Sequence, residues 1–66
     1  MRVYFVPGGK KVEMEKVQNV KQLLQKLSLR RGEVLVIDRE RKELLTIDSP
    51  IKEEAEIEIR RVISGG

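Results

Sequence analysis

The stretch "AEIEIRRVISGG", residues 55–66, decides how this chain folds. Within it, Ile57 and Ile59 alternate with Glu56, Glu58 and Arg60. A period of two puts the isoleucines on one face of a β-strand and the charges on the other. The sequence then runs through Val62, Ile63 and Ser64 to Gly65 and Gly66. Glycine lacks a Cβ and loses more conformational freedom on ordering than any other residue, so this pair adds nothing to a core. The reading is a folded domain over residues 1–62, whose last strand runs into a flexible tail, residues 63–66.

Moving outward, "RVYFV" (residues 2–6) is β-branched and aromatic, with Val3 and Phe5 on one face and Tyr4 and Val6 on the other. After "PGGK", "KVEMEKV" alternates Val12 and Met14 against Glu13 and Glu15. The adjacent glycines Gly8 and Gly9 supply the positive φ angles of a tight turn, which makes the pair of strands a hairpin. A phosphate-cradling role for "GGKK" fails, because the GxxxxGK[ST] spacing and the following helix are missing. "NVKQLLQKLSL" (residues 19–29) is the one helix. Asn19 caps it, and Val20, Leu23, Leu24 and Leu27 form one stripe. Arg30, Arg31 and Gly32 suit its C-terminal end.

"EVLVID" (residues 33–38) is apolar at four successive positions, which marks a central strand or one whose outer face meets a partner. A charged connection, "DRERKE", leads to a short strand, "LLTI" (residues 44–47), and Asp48-Ser49-Pro50 makes a turn. One helix crossing a small mixed sheet is a two-layer α+β domain. The β-grasp buries this pattern most naturally: a sheet of four to five strands, the helix on its concave face, and the last strand beside the first at the centre. The expected core is Val3, Phe5, Val12, Met14, Val20, Leu23, Leu27, Ile57 and Ile59, joined by Val34/Val36 or Leu35/Ile37. The other of those two pairs is left on the convex face with Tyr4 and Val6, as an apolar patch beside the tail.

Composition closes off most chemistry. At 66 residues there is room for one domain, with no cysteine and no histidine. Disulfides, thiolate metal sites, Cys nucleophiles and the commonest general base are therefore excluded. No apolar run reaches the roughly 18 residues of a membrane span, and "MRVYFVPGGKK" is not a signal peptide, so the expectation is a cytoplasmic monomer without a membrane partner. The carboxylates Glu13, Glu15, Glu53, Glu54, Glu56 and Glu58 are explained by strand alternation as solvent faces, and Ser28, Thr46, Ser49 and Ser64 have no histidine to activate them. No catalytic residue and no metal site is expected, and no bound cofactor. A net charge of +3 on 14 basic and 11 acidic residues permits a small RNA-binding domain, but Tyr4 and Phe5 are the only aromatics. Single-strand binders need stacking aromatics beside their basic groups, so nucleic acid is an unlikely partner.

The tail remains. Its carboxylate is ionised at neutral pH and is a poor acyl electrophile until ATP turns one oxygen into a leaving group. Gly65 and Gly66 remove the side chains that would obstruct entry into a narrow active site. Four residues extend at most about 13 Å, enough to reach a pocket while the domain docks outside.

Here the sequence resembles a family. "MRVYFV", "NVKQLLQKL", "EVLVID" and "AEIEIRRVISGG" are similar to the opening strand, helix, third strand and tail-bearing last strand of the ubiquitin-like sulfur carriers of the ThiS and MoaD type, and of the small archaeal modifiers. The sequence departs from that pattern at "KEEAE", before the last strand, and at "DRERKE", where an Asn-Gly turn is usual. The resemblance implies a ubiquitin-like β-grasp whose Gly66 is activated with ATP–Mg by a ubiquitin-activating-type (ThiF/MoeB-like) enzyme, with Gly65, Ser64 and Ile63 as the tail. The product it implies is a thiocarboxylate that passes sulfur to an acceptor such as thiazole synthase or the large subunit of molybdopterin synthase, or into tRNA thiolation. Conjugation to lysines as a protein modifier is the alternative. Tyr4, Val6, Arg60, Arg61 and Val62 are the residues expected to meet the activating enzyme.

Overall fold

A computed structural model describes residues 1–62. Five strands form one mixed sheet: β1 (Arg2–Val6), β2 (Lys11–Glu13), β3 (Val34–Asp38), β4 (Glu43–Leu45) and β5 (Glu56–Arg61). One helix, α1 (Val20–Lys26), packs on the sheet, and a 3-10 turn (Arg31–Glu33) leads into β3. The strand order is β2-β1-β5-β3-β4. The last strand is therefore central, parallel to β1 and antiparallel to β3. This α+β arrangement is compatible with the expected β-grasp. No helix among the described residues is long and apolar enough to cross a membrane.

Alternation explains the two layers. Val3 faces the helix together with Ile57, Ile59, Val34 and Val36, and meets Val20, Leu23 and Leu24 there. Val3, Leu23 and Ile57 are fully buried. Of the two candidate pairs in β3, it is Val34/Val36 that turns inward. Phe5, Met14 and Leu27 contribute less than expected, being only partly buried against this core. Val12 sits opposite Val3 but on an edge strand of three residues, and is half-buried. Val17 and Ile51, in connecting segments without periodicity, are buried in their place.

The helix start follows the sequence closely. Asn19 Oδ1 accepts the Gln22 N–H at 2.8 Å, and Gln22 Oε1 in turn accepts the Gln18 N–H at 2.8 Å. The next orphan donors of the first turn, Val20 N–H and Lys21 N–H, reach Ser49 O and Ile47 O at 3.1 Å. The connection after β4 is thus tied along the helix N-terminus, and Ile51 is carried into the core beside it. That connection leaves the sheet early: β4 ends at Leu45 rather than Ile47, and Thr46 N–H turns back to Ser49 Oγ at 2.9 Å.

The helix end differs from expectation. Arg30, Arg31 and Gly32 do not terminate it; α1 stops at Lys26 with Leu27 as its cap. Ser28 takes the left-handed conformation, with φ of 57°. Its N–H bonds to Gln25 O at 3.2 Å, and Leu29 N–H bonds to Leu24 O at 2.9 Å. This is the Schellman pattern, built on a serine where glycine is usual. Elsewhere glycine takes that role: Gly8 and Gly9 close the β1–β2 turn with φ of 119° and 70°, as their spacing predicts. The β3–β4 turn uses neither glycine nor Asn-Gly. Asp38 Oδ1 accepts the N–H groups of Glu40 and Arg41 at 3.0 and 3.2 Å, and Lys42 supplies the positive φ.

Two stability measurements check these placements. Leu23→Ala empties the space under Ile57 and Ile59, and is expected to cost about 2–5 kcal/mol in a denaturant titration. Ser28→Gly relieves left-handed strain but frees the unfolded chain, and is expected to stabilise by roughly 0.5 kcal/mol. A loss of stability in that variant would show that Ser28 is not strained.

Candidate functional site

The face of the sheet turned away from α1 is laid out in rows by the strand register. At the end where β5 leaves the sheet, Val6, Arg60 and Leu35 stand side by side. The next row runs Lys11, Tyr4, Glu58, Ile37 and Leu44, and the third runs Glu13, Arg2 and Glu56. Because β5 alternates, its outward column is Glu56, Glu58 and Arg60. That charged column separates the aliphatic groups into two flanks.

The single patch expected to join Tyr4 and Val6 with the outward pair of β3 is therefore not formed. Tyr4 and Val6 are half-buried on the β1 side, and Tyr4 is covered. Arg39, just beyond β3, reaches across β5 so that its guanidinium carbon lies 4.0 Å from the Tyr4 ring centroid. A guanidinium over a ring face is held by the ring quadrupole. The same Arg39 donates from Nε to Glu58 Oε1 at 3.1 Å, and Arg60 donates to the other oxygen of Glu58. Tyr4, Arg39, Glu58 and Arg60 thus form one polar bridge across the sheet. Sequence reading missed it because Arg39 belongs to a charged connection whose path no periodicity reveals.

The other flank is open. Leu35, Ile37 and Leu44 lie together on β3 and β4, with Leu35 40% and Leu44 61% exposed. Val62, just past the end of β5, is also exposed, at 46%. Leu35 and Ile37 were foreseeable from the apolar run in β3. Leu44 follows from the parity of "ELL" once the register Ile37↔Leu44 is known. The exposed apolar surface thus lies on the β3–β4 side of the exit.

The exit is bonded to the sheet as far as it is described. Arg61 pairs with Val34, and Val62 N–H donates to Glu33 O at 2.9 Å, so β5 stays bonded to its neighbour up to the last described residue. Arg60, Arg61 and Val62 are all exposed there. The tail residues Ile63, Ser64, Gly65 and Gly66 lie outside the described residues.

The polar bridge has a pH signature. The hydrogen bond from Arg60 holds the Glu58 carboxyl below its ordinary value, against the opposing effect of burial, and Arg39 acts in the same direction. A carboxylate whose folded pKa is depressed contributes stability above its unfolded pKa, and that contribution is lost as pH falls through the folded value. Glu58→Gln is therefore expected to be less stable than wild type at pH 7, by up to about 1 kcal/mol per ion pair. The difference should close as pH falls below roughly 4.3, the ordinary glutamate value. Thermal unfolding of both proteins across this range is the measurement; a pH-independent difference would remove the charge from the account.

In comparison with known proteins, the chain matches no family model and no curated sequence.

Proposed function

We propose that this protein is a ubiquitin-like β-grasp sulfur carrier whose reactive group is the carboxylate of Gly66. The observation that carries the reading is the position of β5. The strand leading to "SGG" is central, bonded on both sides, and opens beside the aliphatic flank of Leu35, Ile37 and Leu44, with Leu35, Leu44 and Val62 exposed. A partner can grip that flank and receive the tail in one docking event, because the flank and the exit belong to the same sheet.

The chemistry uses no side chain of the domain. A Gly66 carboxylate oxygen attacks the α-phosphorus of ATP bound by a ThiF/MoeB-like adenylating enzyme. Pyrophosphate leaves, and the carbonyl becomes an acyl-adenylate with AMP as leaving group. The terminal sulfur of an enzyme-bound persulfide then attacks the carbonyl carbon and expels AMP, giving an acyl disulfide. A second thiol attacks the donor's sulfur in that disulfide, so that the C-terminal thiocarboxylate leaves and the donor is left as a disulfide. The acceptor in turn takes the sulfur, as thiazole synthase or the large subunit of molybdopterin synthase would. The mechanism requires a free carboxylate at Gly66 and unbranched residues ahead of it.

Intact mass after incubation with ATP, a sulfur donor and the adenylating enzyme of the same organism tests the reading. Wild type is expected to gain about 16 Da, the replacement of one oxygen by sulfur. Deleting Gly65 and Gly66 should leave the melting midpoint unchanged but abolish ATP–pyrophosphate exchange. Adding one alanine after Gly66 should do the same, since it moves the carboxylate by about 3.3–3.6 Å, too far for in-line attack. Gly65→Val should slow exchange without altering stability. Activation of the truncated protein would refute the proposal. Ladders of larger conjugates in place of the mass gain would make the protein a lysine modifier.

A further inference from the structure

The end of the sheet where β5 leaves carries a cluster of exposed cations. Lys10 follows the β1–β2 turn, Arg30 and Arg31 precede β3, and Arg60 and Arg61 end β5. All five are exposed. Glu33 is the one carboxylate within residues 7–10, 30–35 and 60–62. Of the five cations, only Arg60 has a carboxylate partner among the described residues, and that partner is Glu58. At the opposite end the charges are mixed: Glu13, Glu15, Glu53, Glu54 and Glu56 line a recess together with Arg2, which pairs with Glu13 and Glu56, and the β3–β4 turn there brings Arg39, Arg41 and Lys42.

Strand alternation accounts for Arg60, but not for the rest of this cluster. Arg30 and Arg31 lie in a connection where the fold demands no cation, since the helix has already been closed by Ser28. Unpaired like charges gathered at one end repel one another in the free protein. They become favourable when an opposite surface meets them. The neighbouring groups indicate what kind of surface that is. Leu35 and Val62 are exposed aliphatics at the same end, whereas Tyr4 is covered by Arg39 and Phe5 packs against the core. An apolar centre with a charged rim fits a protein interface, while single-stranded nucleic acid would need an open aromatic.

We propose that Arg30 and Arg31, together with Lys10 and Arg61, form a basic collar that docks on an acidic protein surface around the entrance taking the tail. This rests on the tail-activation reading above and adds the charge of the partner's rim. The cations gathered at the exit draw that end of the domain towards such a surface before contact is made.

The test is the double variant Arg30→Glu with Arg31→Glu, assayed by ATP–pyrophosphate exchange with the adenylating enzyme of the same organism. Its KM at low salt is expected to rise about tenfold or more with kcat preserved, because steering acts on encounter. The gap should shrink near 0.3 M salt, where the screening length falls to roughly 6 Å. Arg30→Lys with Arg31→Lys should keep the wild-type KM, which separates charge from packing. An unchanged KM in the glutamate variant, with wild type active, overturns the collar alone. Absence of exchange with wild type overturns the tail reading and the collar with it. Fluorescence polarisation with a single-stranded RNA oligonucleotide is the competing arm. If wild type binds that RNA in a salt-dependent way, the glutamate variant does not, and KM is unaffected, the surface is a nucleic-acid site and the proposal fails.

Discussion

Everything in this fold depends on β5 being paired on both edges. Its backbone bonds to β1 on one side and β3 on the other, and its inward side chains, Ile57 and Ile59, lie under Leu23 at the centre of the core. Without β5 the sheet would be two separate hairpins, β1–β2 and β3–β4, each marginal in water on its own. The same strand orients the outer face. Because Ile57 and Ile59 must point inward, Glu56, Glu58 and Arg60 must point outward. The polar divide between the two aliphatic flanks is therefore a by-product of burying two isoleucines.

That coupling explains which parts of the molecule were legible in the sequence. Residues with strict period, such as Val3, Leu23, Ile57 and Ile59, announced both element and face. Asn19 announced the start of the helix, because a cap needs a particular side-chain oxygen at one position. Gly8 and Gly9 announced their turn for a comparable reason. Positions where several residue types can satisfy the backbone were less readable. A left-handed residue was expected to be glycine, and Gly32 drew the helix end towards itself. The chain uses Ser28 instead, and Lys42 at the β3–β4 turn. The cost of a left-handed non-glycine residue, about 1–2 kcal/mol, is small enough for surrounding packing and hydrogen bonds to override.

The candidate site was readable only in outline. The exposed pair in β3 followed from its apolar run, but it was expected to share one patch with Tyr4 and Val6, which lie across the charged column. What seals Tyr4 is Arg39, a residue from a connection between strands. Such long-range pairings depend on the strand order and on the reach of a flexible side chain. Neither is encoded in local pattern. The gathering of cations at the exit end was likewise hidden, since in sequence the cations and carboxylates are interspersed. Only the topology collects Lys10, Arg30, Arg31, Arg60 and Arg61 at one end.

The parallel pairing of β1 with β5 also governs when this fold can form. Arg2 and Glu56, partners in that pairing, are 54 positions apart. Closing a loop of that length costs about 3.5 kcal/mol beyond the length-independent constant, before any contact repays it. Helix α1 and the β1–β2 hairpin can form early, but neither can complete the core. During synthesis the domain stays open until β5 has left the ribosomal tunnel, with Val3 and Leu23 exposed to other chains. The central place of β5 thus makes completion of the core wait for the last strand of the described sheet.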